Sequence, residues 1–484
     1  MRYPEMEEMI RNRALLLIGI VLAFTSCSLA PKYDRPQAPV PSLWPSGSAY
    51  GYAPEERGFQ GASELGWRDF FVDGKLQELI KTALENNRDL RLAALNVQRA
   101  RALYGIQRGE LFPSLSSTGS GSSERIPADL SSTGQVREAE QYRVNLGVTA
   151  WEIDFFGRIR SLEERSLEEF FATEQAHRSA QVLLIAAVAN AYLTMAADRE
   201  SLGLAEKTLA AQKESYDLVK RRYELGLASE LDLNRAQTQV DAARGDIWRF
   251  TQFVAQDENA LALLMGGPLR GDKDAHDLAS VVAPEVLSPG TSSEILLNRP
   301  DVIAAEHRLK AAYANIGAAR ASLFPRISLT TSVGTASAEL SGLFHSGSGT
   351  WLFAPQISVP IFDSRLWAAY DVTKVEREIS LAQYEKAIQT AFREVADSLA
   401  LKGTIDRQLS TQQSLADAVE RTYRLSKLRY DKGLDSYLAV LDAQRSLYAA
   451  QQGLVSLRLA GLANRVKLYA ALGGGWQEKT APVN

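Results

Sequence analysis

The sequence predicts an α+β chain made of two internal repeats, each a set of long helices interrupted by a pair of short strands. Three observations carry this. First, LVKRRYELGLASELDLNRAQ from Leu218 returns as LSKLRYDKGLDSYLAVLDAQ from Leu425, so Tyr223, Gly226 and Gln237 fall on Tyr430, Gly433 and Gln444 at an offset of 207. The echo includes Gly266-Gly267 with Gly473-Gly474. Upstream, at an offset of 212, it pairs Asp89 with Asp301 and Phe112-Pro113 with Phe324-Pro325. Second, long runs rich in Ala, Leu and Glu are free of Pro and nearly free of Gly, as helices require. Third, four short segments alternate apolar and polar residues, the period of a half-buried strand. A repeat this long is not a solenoid unit. Function is therefore expected in a shape built twice rather than in one cleft.

At 484 residues the chain has room for two or three ordinary domains. A net charge of −4 gives no basis for a nucleic-acid partner. One cysteine, Cys27, excludes a disulfide framework and a thiolate metal cluster. His177, His276, His307 and His345 are scattered without metal-ligand spacing. Neither a phosphate loop nor a nucleophile elbow occurs. No enzyme, metal site or cofactor is expected.

Residues 1–26 read as a secretory signal. Ala14 to Phe24 is an apolar run of 11 residues, too short to span a bilayer. Small residues, Thr25 and Ser26, precede Cys27. The pattern resembles a bacterial lipoprotein signal, cleaved before a cysteine that then carries lipid, so covalent lipid on Cys27 is the one attached group expected. Glu5, Glu7 and Glu8 cancel Arg2, Arg11 and Arg13, whereas a signal begins with positive charge. A start at Met9 leaves Arg11 and Arg13 and fits better. Residues 27–74 follow as a lipid-anchored tether opening with the Pro-rich run PKYDRPQAPVP, which cannot be helical. No later stretch of 18 apolar residues is present, so a membrane-crossing chain must cross as strands.

The first repeat covers 75–270. A helix is expected from Arg158 to about Glu200, and another from about Leu204 to Leu225. The second stops at Gly226, and the chain restarts near Ser229 towards Leu264. Glycine past a helix end and serine three residues on are a stop and an N-cap. After a linker at 271–297, the second repeat, 298–476, shows a helix to Tyr430, a stop at Gly433 and a restart near Ser436. That last helix ends near Leu472, and a tail occupies 477–484. One heptad seam of the last helix runs through Leu438, Leu441, Arg445, Tyr448, Gln452 and Val455 to Tyr469. A second runs through Val440, Ala443, Leu447, Ala450, Leu454 and Leu457. Two seams imply neighbours on both sides, as in a wall or bundle of helices. Gln444, Gln451, Arg458 and Arg465 are expected to form its polar ridge. Arg445 interrupts an apolar seam, where an unpaired charge is costly.

Four alternating segments are expected as strands: Leu115 to Gly121, Arg143 to Ala150, Ile327 to Val333, and Phe353 to Ile361. Each is close to the length that crosses a bilayer when tilted. Ser/Gly-rich loops from Ser120 and from Ser337 close each pair. Phe112, Trp151, Phe155, Phe156, Phe324 and Phe362 gather at the opposite ends. Aromatic rings at strand ends suit a membrane interface. The same rings also suit the helix–strand corner of a soluble α+β protein. Four strands cannot close a transmembrane barrel, which needs at least eight. Spanning strands would therefore require several chains, and a trimer would supply twelve.

The order of elements and the motifs CSLAPKYDRPQAPVP from Cys27, LFPSLS from Leu111, WEIDFFGRIR from Trp151, NRPDV from Asn298, LFPRISL from Leu323 and YLAVLDAQRSLYAAQQGL from Tyr437 resemble the outer-membrane efflux factors of TolC and OprM type. The resemblance covers essentially the whole chain after Cys27. It implies a homotrimer: a twelve-stranded transmembrane β-barrel, four strands per chain, in outer-membrane lipid, continued by a long periplasmic α-helical barrel. It implies the exit duct of a tripartite efflux pump, working with a periplasmic adaptor (membrane fusion protein) and an inner-membrane RND-type transporter. It further implies a periplasmic gate at Leu438, Asp442 and Arg445, with Asp232 beside it. Adaptor-contact tips are implied at Leu225-Gly226-Leu227 and at Lys432-Gly433-Leu434. The competing expectation is a periplasmic coiled-coil structural or adaptor lipoprotein, which accounts for the helices but not for the paired alternating segments.

Overall fold

The computed structural model describes residues 29–50, 65–268, 278–284, 287 and 292–480. The signal, Cys27 and the alternative start at Met9 lie outside them. Helices α1 (Trp67–Phe70), α2 (Gly74–Asn86) and α3 (Arg88–Gly109) precede strands β1 (Leu115–Ile126) and β2 (Arg137–Ile153). Helices α4 (Arg158–Glu224) and α5 (Glu230–Leu264) follow. A 3₁₀ turn at Ser293–Asn298 leads into α6 (Pro300–Ala321), β3 (Arg326–Ser337), β4 (Gly349–Ser358), α7 (Ser364–Asp431) and α8 (Tyr437–Ala471). The order helix, strand, strand, long helix, helix thus occurs twice. Lengths match closely: 22 residues for α3 and α6, 67 and 68 for α4 and α7, 35 for α5 and α8. The chain divides into two compact units. One holds the described residues up to 36, Asn96–Thr173 and Ala304–Tyr384; the other holds those of Gln37–Leu95, Glu174–Ile303 and Glu385–Asn484.

The expected break between Glu200 and Leu204 does not occur, and α4 is continuous through Gly203. An interior glycine costs a helix only about 1 kcal/mol. Gly203 has open space around it and helical φ. Gly226 differs, because its φ of 72° is left-handed. There Leu227 N–H donates to Arg222 O (2.7 Å) and Gly226 N–H to Tyr223 O (2.9 Å), a Schellman stop. Gly433, also at 72°, repeats it with Leu434 N–H to Arg429 O and Gly433 N–H to Tyr430 O, both 2.9 Å. Ser229 caps α5 by accepting from Asp232 N–H, whereas Ser436 holds the cap position of α8 without a side-chain bond.

In the second unit the core gathers Trp67, Phe70 and Phe71 of the α1 region with the end of α8. Phe70 stacks on Tyr469 at 4.0 Å, and Tyr469 donates to Leu65 O (2.6 Å). The chain end pairs here too: Trp67 N–H donates to Gln477 O (3.0 Å) and Arg68 N–H to Glu478 O (3.1 Å). Arg299, 8% exposed, ties the start of α6 to its neighbours. Its guanidinium reaches Asp301 (2.8 Å), Glu394 (2.9 Å) and Ala471 O (2.7 Å). Helix α4 carries one 18-residue window of mean hydropathy 1.7. Its residues Val188, Ala189, Leu193 and Ala196 are buried within this unit.

Helix α8 corrects the expected ridge, since Gln444 is buried at 5%. Leu438 and Arg445 are exposed instead. The side of the seam that carries Leu441 is covered by this chain, while the side that carries Leu438 and Arg445 is not. Arg445 therefore incurs no burial cost within one chain.

Candidate functional site

The sheet in the first unit runs β1-β2-β3-β4, all antiparallel. The strands run longer than expected, β2 over Arg137–Ile153, β3 to Ser337 and β4 from Gly349, and two boundaries have a clear physical cause. The Ser/Gly-rich stretch from Ser120 to Ile126 is strand, because β2 offers it an unbroken partner from Leu115↔Val148 to Ile126↔Arg137. Strand β4 ends at Ser358, leaving Val359 and Ile361 outside; Pro360 has no N–H to continue a ladder.

Residues directly opposite in a sheet share a face. One face carries, row by row, Ile153, Ile327 and Ile357; then Trp151, Leu329 and Pro355; then Leu115, Val148, Thr331 and Phe353; then Leu146, Val333 and Trp351. The other carries Glu152, Ser328 and Gln356; then Thr330 and Ala354; then Ser116, Gly147, Ser332 and Leu352; then Thr118, Asn145, Gly334 and Thr350; then Ser120, Arg143 and Ala336, so that Leu352 is its one large apolar side chain in these rows. A bulge preserves this sorting. Between Val148 and Trp151 the register shifts, and Ala150 takes a φ of 51°. Two β2 residues there face one on β3, so Trp151 stays on the apolar side. Ten steps from Ile327 to Ser337, tilted about 45°, give a sheet about 24 Å tall, of which the four apolar rows from Ile327 to Val333 occupy about 14 Å.

The apolar face is largely uncovered. Val333 is 62% exposed, and Phe353, Ile357 and Leu115 are exposed as well. Aromatic rings mark both ends. Trp151, Phe155, Phe156 and Phe324 lie at the helix end, with Phe156 stacked on Phe324 at 4.9 Å. Phe344 and Trp351, both exposed, lie at the other end. Trp351 continues the alternation of Phe353 and Ile357 and was legible by extending that count two residues. At the polar face, Glu152 accepts both nitrogens of Arg158 (2.8 Å each) and lies 3.2 Å from Arg326. Among the described residues, β1 and β4 each have one edge unpaired.

The turns at Gly226 and Gly433 join α4 to α5 and α7 to α8. Beneath them Val219, Ala236, Tyr430, Tyr437, Val440 and Leu441 form one cluster drawn from all four helices. Arg222 lies over the Tyr430 ring at 4.6 Å. Arg429 grips Asp435 with two bonds of 2.6 and 3.0 Å across the second turn, holding the Asp435 carboxyl below its ordinary range. Burial pushes the Tyr437 hydroxyl well above its ordinary range. At the turns themselves Leu225, Leu227 and Leu434 are exposed, and so is Lys432.

Leu438, Asp442 and Arg445 fall on one exposed stripe of α8. Among the described residues, neither the Asp442 carboxylate nor the Arg445 guanidinium has an ion-pair partner. Asp232 is placed differently. It sits in the first turn of α5, where its carboxylate accepts from Ser229 Oγ (2.8 Å) and lies 3.9 Å from Arg235. The structure brings the first three together and gives Asp232 to the cap. No group of three or more His, Cys, Asp or Glu side chains able to hold a metal is found among the described residues.

Comparison with known proteins follows the same lines. The sequence model of the outer membrane efflux protein family matches residues 79–267 and 291–474. The toluene efflux pump outer membrane protein TtgC of Pseudomonas putida is 50% identical over 97% of this chain and 97% of its own length. The cation efflux system protein CusC of Escherichia coli O157:H7 is 41% identical over 96% of this chain and 99% of its own. The open-state MtrE outer membrane channel of Neisseria gonorrhoeae superposes with a TM-score of 0.84 at 38% identity, covering 94% of this chain and all of that one. With both repeats matched and nearly full-length relatives at this identity, the chain belongs to the outer membrane efflux protein family.

Proposed function

We propose that this chain is the outer-membrane exit duct of a tripartite efflux pump, passing substrate received from an inner-membrane RND-type transporter through a periplasmic adaptor. The observation that carries the reading is the two-faced sheet with two unpaired edges. A bare apolar face on a sheet about 24 Å tall suits lipid, and a face rich in Ser, Thr, Asn and Arg suits a water-filled lumen. Open edges are not tolerated in lipid, so β1 of one copy pairs with β4 of the next. Three copies give twelve strands. Unpartnered apolar stripes support the same arrangement: Leu92, Leu95, Leu103 and Ile106 on α3, and Trp367, Val372, Val375 and Ile379 on α7, are all exposed in one chain. A periplasmic coiled-coil lipoprotein has no use for the apolar face.

In this reading the helices continue the barrel as a periplasmic tunnel built from two internal repeats, 75–270 and 298–476, with 271–297 between them. Cys27 carries the lipid. The exposed leucines of the two glycine turns meet the adaptor, with Lys432 at the rim. Leu438, Asp442 and Arg445 line the closed mouth, Arg445 of one copy offsetting the repulsion among three Asp442 carboxylates. The two methionines beyond residue 26, Met195 and Met265, are both buried, so no thioether path for soft cations is offered. That favours organic cargo of the kind named for the toluene pump relative. In planar bilayers the purified protein is expected to give discrete low-conductance channels, and Asp442→Ala or Arg445→Ala to raise the conductance severalfold. Absence of any channel rejects the duct. Channels unaltered by either substitution reject the gate.

A further inference from the structure

Residues 29–36 do not hang free. They lie extended along α6, on one face of it. The contacts fall on Glu306, Lys310, Tyr313, Gly317 and Arg320, alternating steps of four and three. Arg35 grips Glu306 with Nε to Oε1 at 3.0 Å and Nη2 to Oε2 at 2.8 Å, and Tyr33 Oη donates to the same carboxylate at 3.1 Å. Lys310 Nζ stands 3.5 Å from Glu306 and over the Tyr33 ring. Tyr33 meets Tyr313 edge-on at 5.5 Å. At Gly317 the strap touches the helix: a Cβ there would lie 2.7 Å from Ala30 Cβ and 2.9 Å from its Cα. Arg320 donates to Leu29 O at 3.2 Å.

The lengths agree. Six extended steps from Leu29 to Arg35 cover about 20 Å, and the helix from Arg320 to Glu306 rises about 21 Å. Strap and helix therefore stay in register from end to end. Glu306 is only 4% exposed. A buried carboxylate requires compensation, and three of its bonds come from the strap. Leu29 lies beside the C-terminal end of α6. Phe324 and Pro325 turn there into β3, and the apolar face begins at Ile327. Two residues reach about 7 Å farther at most.

We propose that the strap is a ruler, with Glu306 as its buckle and Gly317 as its seat, and that it fixes the height at which the N-terminal anchor leaves the protein, level with the corner where the sheet enters lipid. Glu306 is a positioning residue; it acts through the strap. The proposal rests on the duct reading only for what the height is for. The register itself stands apart from it, and so does the test.

The experiment is a nitroxide at Lys32→Cys, an exposed strap position, in the full-length protein in phosphatidylethanolamine/phosphatidylglycerol vesicles. Intact mass reports separately whether Cys27 is acylated. The parent is expected to give an immobilised spectrum and one depth by power saturation. Glu306→Ala and Arg35→Ala are expected to lose the immobilised component and broaden the depth. Arg35 lies on the strap, so its loss leaves the helical core unchanged. Gly317→Leu is expected to do the same by wedging. The charge swap Glu306→Arg with Arg35→Glu is expected to restore immobilisation. A mobile label in the parent overturns the proposal. So does a label that stays immobile in both alanine variants. A missing acyl group with an immobile strap would also overturn the proposal, since no anchor would remain whose height the strap could fix.

Discussion

Val333→Arg asks directly whether the bare face meets lipid. Val333 lies on β3, between β2 and β4, so its neighbours belong to its own chain. It is 62% exposed in one chain and lies near the middle of β3. If that face is wet, exchanging an exposed valine for arginine shifts stability by no more than about 0.5 kcal/mol. If it faces hydrocarbon near the bilayer centre, the cost is about 2–4 kcal/mol per chain. That is a factor of roughly 30 or more in the folded population, and three chains would each bear it. Gln356→Arg is the control. It adds the same side chain on the neighbouring strand, on the polar face. The assay is urea unfolding in phospholipid vesicles, followed by heat-dependent gel migration. Val333→Arg is expected to lower the midpoint strongly and Gln356→Arg to leave it within error. Equal, small effects of both would refute the two-faced membrane sheet.

Two further outcomes concern the helical unit. Arg299→Ala removes a buried guanidinium that holds Asp301, Glu394 and Ala471 O. Asp301 and Glu394 are 40% and 34% exposed and can turn to water, so the loss falls mainly on the buried Ala471 carbonyl and costs about 1–3 kcal/mol, to be read as a shift in urea midpoint; a shift below about 0.5 kcal/mol would contradict the account. Asp257 on α5 is pushed up to about 6, by burial first and then by the charge of Asp198 on α4. The folded state therefore binds a proton more tightly than the unfolded one. Stability should fall as pH rises from about 4 through about 6. Asp257→Asn should flatten that slope, with Arg199, which lies near Asp257, left in place. Thermal unfolding across this range checks it, and an unchanged slope would refute this assignment to Asp257.

What the sequence made legible depends on how local the cause was. The turns at Gly226 and Gly433 were readable because a left-handed residue demands glycine. Gly203 misled because a glycine inside a helix is cheap to keep. The four strands were visible by alternation. The full length of β1 was not, since its Ser and Gly residues pair only because β2 is there. The pairing of β2 with β3, which joins the two pairs into one sheet, links residues about 190 apart and left no local sign. Leu438, Asp442 and Arg445 share a stripe because heptad spacing places them there, while Gln444 is buried by a neighbour that spacing does not name. The proline content of the strap excludes a helix and by itself suggests only a tether. Its partner Glu306 lies 271 residues from Arg35, and only the fold brings them together.

The central claim is that four strands per chain are completed by other copies. Native mass spectrometry of the protein released from detergent micelles or nanodiscs counts those copies in one step. The account predicts three chains in one particle, enough for twelve strands. A particle containing a single chain with its sheet intact in the bilayer would contradict it.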